Sequence, residues 1–466
     1  MLRSSPGGLR PARAAERAAS RPNIVVIVTD DQRIGMLWAM DGVRQLATRG
    51  MTFRNAIVSD PLCCPARASL LTGRYAGGHG VWSNAAPYGW QAFHDAGNEE
   101  HTVATALQAG GYRTGLIGKY LNGYETAGNF VPPGWDRWFA MSGGTGAYYD
   151  YGVVDFDARD GIVERRHFGI DPADYSTSVI GREAVRFIRT TPVGQPLFLY
   201  AAVRAPHGPS VPAHGDRGTF DGHVWGHGPA FNERDVRDKP GYIRGLDRFS
   251  LAEVQGLELR TQRATETLLA VDRMVVALIE ALRDSHRLAN TMVVFTSDNG
   301  VARGEHRWQY KVVPYEESVR VPLIVRYDPL LRGTSRAGSV ADGLVANVDL
   351  APTWAKLGGV VLDAPVDGVT FDGLLAGGAP SRNDVLLESL QFQPDRGPSV
   401  PGYCGLRTLH RKYVRYDTGE EEFYRLDKDP AELVNLASSN LPVMASMRLR
   451  TQTLCTPTPP GFAWPA

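Results

Sequence analysis

Apolar residues arrive in this chain as short β-branched runs, with stretches of helical periodicity between them. Asn23-Ile-Val-Val-Ile-Val28 is apolar at every position after the first, the pattern of a strand buried on both faces. Comparable runs recur at 52–58, 112–117, 197–203 and 292–296. Helices are predicted over 102–108, 178–189 and 258–283. In the last of these, Leu268, Val271, Val275, Leu278 and Leu282 recur at spacings of three and four and so share one face. Strands alternating with helices predict an α/β architecture built on a large, mostly parallel sheet flanked by helices.

The texture changes after residue 335. Gly358, Gly359, Pro365, Gly373, Gly377, Gly378 and Pro380 interrupt the periodic segments, and shorter strand-like pieces follow at 413–416 and 422–426. The predicted organisation is a catalytic domain over 22–340 and a smaller C-terminal α+β domain over 341–466, with a hairpin and a Pro-rich tail. Residues 1–21 are dominated by Arg, Ala, Gly, Pro and Ser and read as a disordered arm. They hold no apolar stretch of the roughly 7–15 residues a secretory signal needs. As the chain begins, it therefore reads as cytoplasmic. A longer N-terminus would leave secreted or periplasmic placement open.

Composition narrows the classes. At 466 residues, with 50 Lys+Arg against 50 Asp+Glu, the chain carries no formal net charge, which argues against a nucleic-acid-binding protein. It also argues against a polybasic membrane-surface protein. No apolar run approaches the roughly 18–20 residues of a membrane span. The 4 cysteines do not form a disulfide framework, although a Cys404–Cys455 bridge is compatible with the sequence.

Ligand sites in open α/β sheets gather beyond the carboxyl ends of the strands. Four predicted strands deliver polar groups there: Asp30-Asp31, Gly118-Lys119, Ala205-Pro206-His207 and Asp298-Asn299-Gly300. Asp and Asn at such positions also close turns and cap helices. Gathered together, however, Asp30, Asp31, Asp298 and Asn299 would repel one another without a cation. An oxygen-only set favours Ca²⁺ or Mg²⁺ over zinc.

Residues 61–74, Pro-Leu-Cys-Cys-Pro-Ala-Arg-Ala-Ser-Leu-Leu-Thr-Gly-Arg, read as the start of a helix, with Pro65 in its first turn and Gly73 at its end. Cys63 then sits at a helix N-terminus, where a thiol pKa falls and anions bind. A small buried hydrophobe is the alternative reading.

The motif Cys63-x-Pro65-x-Arg67, followed by Leu70-Leu-Thr72-Gly73-Arg74, resembles the signature of the type I, formylglycine-dependent sulfatases. The resemblance runs from Pro22 to about Leu436 and takes in all four strand ends. It continues through Lys311, and through Asp429-Pro430 and Asn435-Leu436. It implies the alkaline-phosphatase-like sulfatase fold and a formylglycine made from Cys63 by a maturation enzyme. Cys64 lacks Pro and Arg at the matching spacings. The resemblance also implies one Ca²⁺, in preference to Mg²⁺, held by Asp30, Asp31, Asp298, Asn299 and the modified Cys63. Arg67 would anchor the formylglycine, while Lys119, His207 and Lys311 would surround the sulfate ester. In the family the hydrated aldehyde attacks sulfur, the alcohol departs, and the second hydroxyl expels sulfate.

One position departs from many sulfatases: Leu121 stands where they carry His. Gly118-Lys119-Tyr-Leu-Asn122-Gly-Tyr124 and Cys63-Cys64-Pro65 resemble instead the N-acetylglucosamine-6-sulfatase and extracellular heparan-sulfatase branch. General-base duty then falls to His207, with Lys311 or Lys119 protonating the leaving oxygen. His306 is a further candidate for substrate contact. The expected substrate is a small or oligosaccharide sulfate ester such as N-acetylglucosamine 6-sulfate, because no basic arm offers a track for a long polyanion. A phosphonate monoester or phosphodiester hydrolase and a general arylsulfatase are the enzymatic alternatives. A catalytically silent glycan-binding protein is the alternative of another class. The cluster at 148–151 (Tyr-Tyr-Asp-Tyr) fits packing better than sugar stacking. His214, His223 and His227 mark a Gly-rich loop suited to a lid or a substrate wall.

Overall fold

The computed structural model describes residues 21–143, 148–394, 397–439 and 441–464. The expected disordered arm, apart from Arg21, lies outside the described residues. A ten-stranded sheet forms the centre. Its strands are β1 (Asn23–Asp30), β2 (Met51–Ile57), β3 (Arg113–Gly118), β4 (Arg137–Met141), β5 (Tyr151–Asp157), β6 (Ile162–Phe168), β7 (Leu197–Pro206), β8 (Thr291–Ser297), β9 (Leu323–Tyr327) and β10 (Ser339–Ala346). They lie in the order β10-β2-β9-β8-β1-β7-β3-β4-β5-β6. The four central strands β8, β1, β7 and β3 are mutually parallel, and antiparallel pairing is confined to β9, β5 and β6 with their neighbours.

Every residue of β1 is buried, as its apolar run predicts. Ile24, Val26 and Val28 join one core cluster, and Val25 and Ile27 join another. The period-two alternation of a strand thus feeds both faces of the sheet. Each fully buried branched side chain contributes about 1.5–3 kcal/mol. One face is covered by α1 (Asp41–Arg49), α4 (Ser176–Thr190) and α5 (Leu251–Asp284); the other by α2 (Cys63–Thr72), α3 (Val103–Ala109) and α6 (Leu350–Gly358). Helix α5 opens with a capping box in which Ser250 and Glu253 satisfy each other's backbone donors.

A second, antiparallel sheet orders β11 (Asp384–Ser389), β12 (Tyr403–Thr408), β13 (Arg411–Tyr416) and β14 (Glu421–Arg425) consecutively. On one face Leu406, Tyr413 and Phe423 pack with Met444 and Met447 of α7 (Pro442–Leu454). On the other, Val385, Tyr403 and Tyr424 pack with Trp308, Val313 and Tyr315 of the segment after β8. Cys404 and Cys455 are bonded, a closure over 51 residues that in the chain-entropy account is worth about 4 kcal/mol.

The expected break at 340/341 falls inside β10, which pairs with β2 in the large sheet. The run 344–346 is a buried strand end, and α6 beyond it still covers the large sheet, so the Gly and Pro residues after 335 mark turns within it. The smaller sheet begins only at Asp384.

Candidate active site

The ends of β1, β7, β3 and β8 meet at one rim, because their register is nearly flush: Thr29 pairs with Ser297, Asp30 with Pro206, and Gly118 with Ala202. Gly118 is required there. It has φ +117°, and a Cβ would sit 1.8 Å from the Ala202 carbonyl oxygen. Asp31 turns off β1 with φ +66°. Strain of this kind collects at functional sites.

Helix α2 presents Cys63 at its first position to this rim. Leu62 precedes it in extended conformation, and the Cys64 backbone N–H donates to Asn84 Oδ1 at 2.9 Å. The Cys63 thiol donates to Asp30 Oδ1 at 3.3 Å, and Lys311 Nζ stands 2.7 Å from the sulfur and 2.6 Å from Asp31 Oδ1. Lys119 Nζ donates to Asp30 Oδ2 at 2.5 Å. Arg67 Nε donates to Asp298 Oδ2 at 2.8 Å, and one of its Nη donates to the Lys119 carbonyl at 3.1 Å. His207 Nε2 lies 3.6 Å from Asp31 Oδ2, and Tyr148 Oη donates to the His207 carbonyl at 2.8 Å. Asn299 Nδ2 donates to Asp31 Oδ1 at 2.6 Å.

Charge in this space is strongly perturbed. Burial would raise Asp30, but Lys119, His207, Arg67 and Lys311 around it hold its pKa well below the usual carboxylate range. Asp31 is likewise lowered, against burial, by Lys311 and His207. Asp298 is raised, first by burial and then by the Asp30 charge. Burial pushes the Cys63 thiol up to about 12, and Asp30 adds to the effect. Burial also pulls His207 down to about 4, with Asp30 and Asp31 opposing. At neutral pH the site therefore holds an uncharged thiol and an uncharged imidazole among fixed ions.

The donor chemistry suits a hard cation. Asp30, Asp31, Cys63 and His207 each offer a ligand atom, all within 4.8 Å of one another. Asn299 Oδ1 is buried without a hydrogen-bond partner, an orphan that a cation would satisfy. The thiol and the His207 imidazole are the odd members of such a set, since Ca²⁺ and Mg²⁺ prefer oxygen. An oxygen at position 63, with Asn299 Oδ1 in place of the imidazole, would make the set all oxygen.

The sulfatase family profile matches residues 22–360, and a second, for the C-terminal part of N-sulphoglucosamine sulphohydrolase, matches residues 304–454. The chain belongs to the sulfatase family. This sulfatase is 34% identical over 381 residues to the extracellular sulfatase SULF-1 homolog of Drosophila melanogaster, covering 79% of this chain and 32% of that protein. It thus spans about a third of that relative's length. It is 29% identical over 497 residues to N-acetylglucosamine-6-sulfatase of Capra hircus, covering 96% of this chain and 86% of that one. Among solved structures, one in complex with its substrate D-glucosamine-2-N,6-O-disulfate superposes with a TM-score of 0.80 at 24% identity, covering 95% and 99% of the two chains. The likeness extends to both sheets.

Of the residues singled out in the sequence, Asp30, Asp31, Cys63, Arg67, Lys119, His207, Asp298, Asn299 and Lys311 come together in this sulfatase. His306 does not join them. Its Nδ1 lies 2.6 Å from Glu233 Oε2, its ring stacks on Tyr315 at 4.1 Å, and it is 1% exposed. A His that follows Gly304 and Glu305 looks like a loop residue, but its ring is held inward by Glu233. Tyr148 and Tyr151 are buried in ring packing, as the packing reading held. The sequence reading missed the anchor from Tyr148 to His207, and it missed Arg303. Burial and neighbouring Arg33 lower the Arg303 guanidinium to about 10, and it feels the Asp31 charge. Its place four residues beyond Asn299 was the available signal.

Lys311 depends on contacts from behind. The next residue, Val312, has φ +75°, a costly conformation for a β-branched residue. Its N–H donates to the Pro61 carbonyl at 3.2 Å, and its carbonyl accepts from Tyr403 Oη at 2.9 Å. Lys412 Nζ donates to the Pro314 carbonyl at 2.7 Å. The second sheet therefore fixes the backbone that carries Lys311.

Proposed function

We propose that this sulfatase hydrolyses the 6-sulfate ester of an N-acetylglucosamine unit, using formylglycine at position 63 and one Ca²⁺. The observation that carries the proposal is the meeting of Cys63, Lys119, Lys311 and His207 at the Asp30–Asp31 pair. The N-acetylglucosamine-6-sulfatase relative, matched along most of both chains, supports the choice of sugar. Asp30, Asp31, Asp298 and Asn299 would hold the cation, with an oxygen of residue 63 completing the set. When bound, the cation lowers the pKa of its oxygen ligand, and the hydrated aldehyde supplies the nucleophilic hydroxyl.

The chain's own residues do the rest. Lys119 and Lys311 set two ammonium groups beside residue 63, where sulfuryl oxygens gain charge in the transition state; such stabilisation is usually the largest catalytic term. Arg67 fixes Asp298 and the Lys119 carbonyl and so holds the frame rigid. His207, uncharged at neutral pH, accepts a proton at Nε2, while its carbonyl is pinned by Tyr148. Lys311 or Lys119 protonates the leaving alcohol oxygen. An unconverted Cys63 would serve this chemistry poorly, since a thiol near 12 is almost wholly protonated at neutral pH.

Mass analysis of the peptide containing residue 63, from protein made in its native host, tests the nucleophile. Aldehyde or its hydrate is expected; intact thiol alone would end the formylglycine reading. Side-by-side assay of N-acetylglucosamine 6-sulfate, an aryl sulfate and a phosphodiester tests the substrate. The sugar sulfate is expected to give the highest kcat/KM, and a faster phosphodiester would transfer the site to phosphoryl chemistry.

A further inference from the structure

The segment that carries Lys311 is bracketed by two side chains whose ligand atoms are unused. His306 precedes that lysine and Glu317 follows it. His306 Nε2 and Glu317 Oε2 are both buried without a hydrogen-bond partner. Glu432, which follows β14 and is as deeply buried as His306, completes the group. One ligand atom from each of the three lies within 4.8 Å of the other two.

The imidazole is prepared for a ligand. His306 Nδ1 stands 2.6 Å from Glu233 Oε2, and Lys239 meets that carboxylate in turn at 3.4 Å. A carboxylate at Nδ1 keeps the ring proton there and leaves the Nε2 lone pair free, the backing that metal-bound imidazoles receive. Stacking on Tyr315 at 4.1 Å holds the ring in place. Glu432 Oε2 accepts from the Glu316 N–H at 2.8 Å. Its Oε1 lies 2.7 Å from Lys412 Nζ, close enough for an ion pair but not aligned for a hydrogen bond.

This donor set differs from the one at Asp30 and Asp31. Two carboxylates with one imidazole nitrogen suit Zn²⁺ better than Ca²⁺ or Mg²⁺. Neighbouring ligands of a tetrahedral zinc stand about 3.4 Å apart, so the group needs to close by about 1 Å on the ion.

We propose that His306, Glu317 and Glu432 bind one Zn²⁺, in a second metal site apart from the cation site at Asp30 and Asp31. The ion joins the two ends of the Lys311 segment to each other and to the turn after β14. It thereby adds to the grip that Tyr403 and Lys412 already have on that segment.

Zinc content of the full chain tests this. The comparison uses Cys63→Ala as its parent, which removes the thiol through which zinc would lodge beside Asp30. The parent and its Glu317→Gln and His306→Gln derivatives are loaded with excess Zn²⁺, dialysed against metal-free buffer and analysed by mass spectrometry. The parent is expected to retain about one equivalent per chain more than either derivative. Zinc is also expected to raise the parent's melting temperature and to leave that of the derivatives unchanged. Equal zinc content in all three would overturn the site and assign the space to a proton or a water molecule. If His306→Gln fails to fold, Glu317→Gln decides alone, because Glu317 is only half-buried.

Discussion

Two buried collections of charge, made from the same residue types, flank the segment that carries Lys311. In front are Asp30, Asp31 and Asp298 with Lys119, Lys311 and Arg67. Behind, Glu316 is gripped by Arg407 at 3.0 Å and Lys412 at 3.0 Å, and Lys412 also meets Glu432 at 2.7 Å. Glu422 accepts from the hydroxyls of Tyr315, Tyr416 and Tyr424 at 2.5–2.7 Å. The rear ion pairs are mutually satisfied, but the adjoining His306, Glu317 and Glu432 cluster is not closed: His306 Nε2 and Glu317 Oε2 are buried without hydrogen-bond partners. The front group is open: Arg67 Nη2 and Asn299 Oδ1 are orphaned, and the His207 side chain keeps 26% of its surface. What separates the two is exposure and paired cations: the Glu316, Arg407 and Lys412 pairs are buried and specify a backbone, whereas the front charges border a partly exposed His207 and can meet a ligand.

If the front group serves chemistry, Cys63→Ala should eliminate turnover, whereas Cys64→Ala should leave activity within about tenfold, as read by kcat on the sugar sulfate; equal loss would contradict the division of labour between the two thiols. Lys311→Ala should lower kcat/KM by about 10²–10³ with little change in denaturation midpoint. The rear group should respond the other way. Glu316→Ala leaves Arg407 and Lys412 without their shared partner and should cost about 3–5 kcal/mol in urea unfolding; a loss below 1 kcal/mol would mean that closure there is not structural.

Between these, Tyr403→Phe should reduce kcat several-fold by freeing the Val312 carbonyl. Val312→Gly, which relieves the positive φ, should restore part of that loss. The smallest effect concerns pH. Burial raises Glu388 to about 8, while in the unfolded chain it titrates near 4.5. The unfolded state therefore loses its proton first, so this group's stabilisation is complete below about pH 4.5 and fades as pH rises through 8. Glu388→Gln should flatten the fall in melting temperature between about pH 4.5 and 8, and an unchanged slope would place that titration elsewhere.

Much of the front group was readable because strand ends are local. Asp30-Asp31, Lys119, His207 and Asp298-Asn299 each follow a β-branched run directly, and parallel strands bring such ends to one rim. The rear group was not readable. Glu316, Arg407, Lys412 and Glu432 lie on separate elements up to 116 residues apart, and nothing in the periodicity of 403–425 says which edge meets Pro314. The setting of His306 is hidden for the same reason, since its partner Glu233 lies 73 residues earlier in the chain. Gly and Pro mark turns in both sheets, so they do not by themselves say where one ends and the other begins.

Val312 also sets an order of events. Tyr403, which holds its carbonyl, follows Cys63 by 340 residues. At about 5–20 residues per second of synthesis, the chain carries an exposed position 63 for roughly 20–70 s before the group that locks Lys311 over it exists. The maturation proposed for Cys63 would have that interval as its clock. Once the second sheet docks, the thiol is fully buried and the opportunity closes.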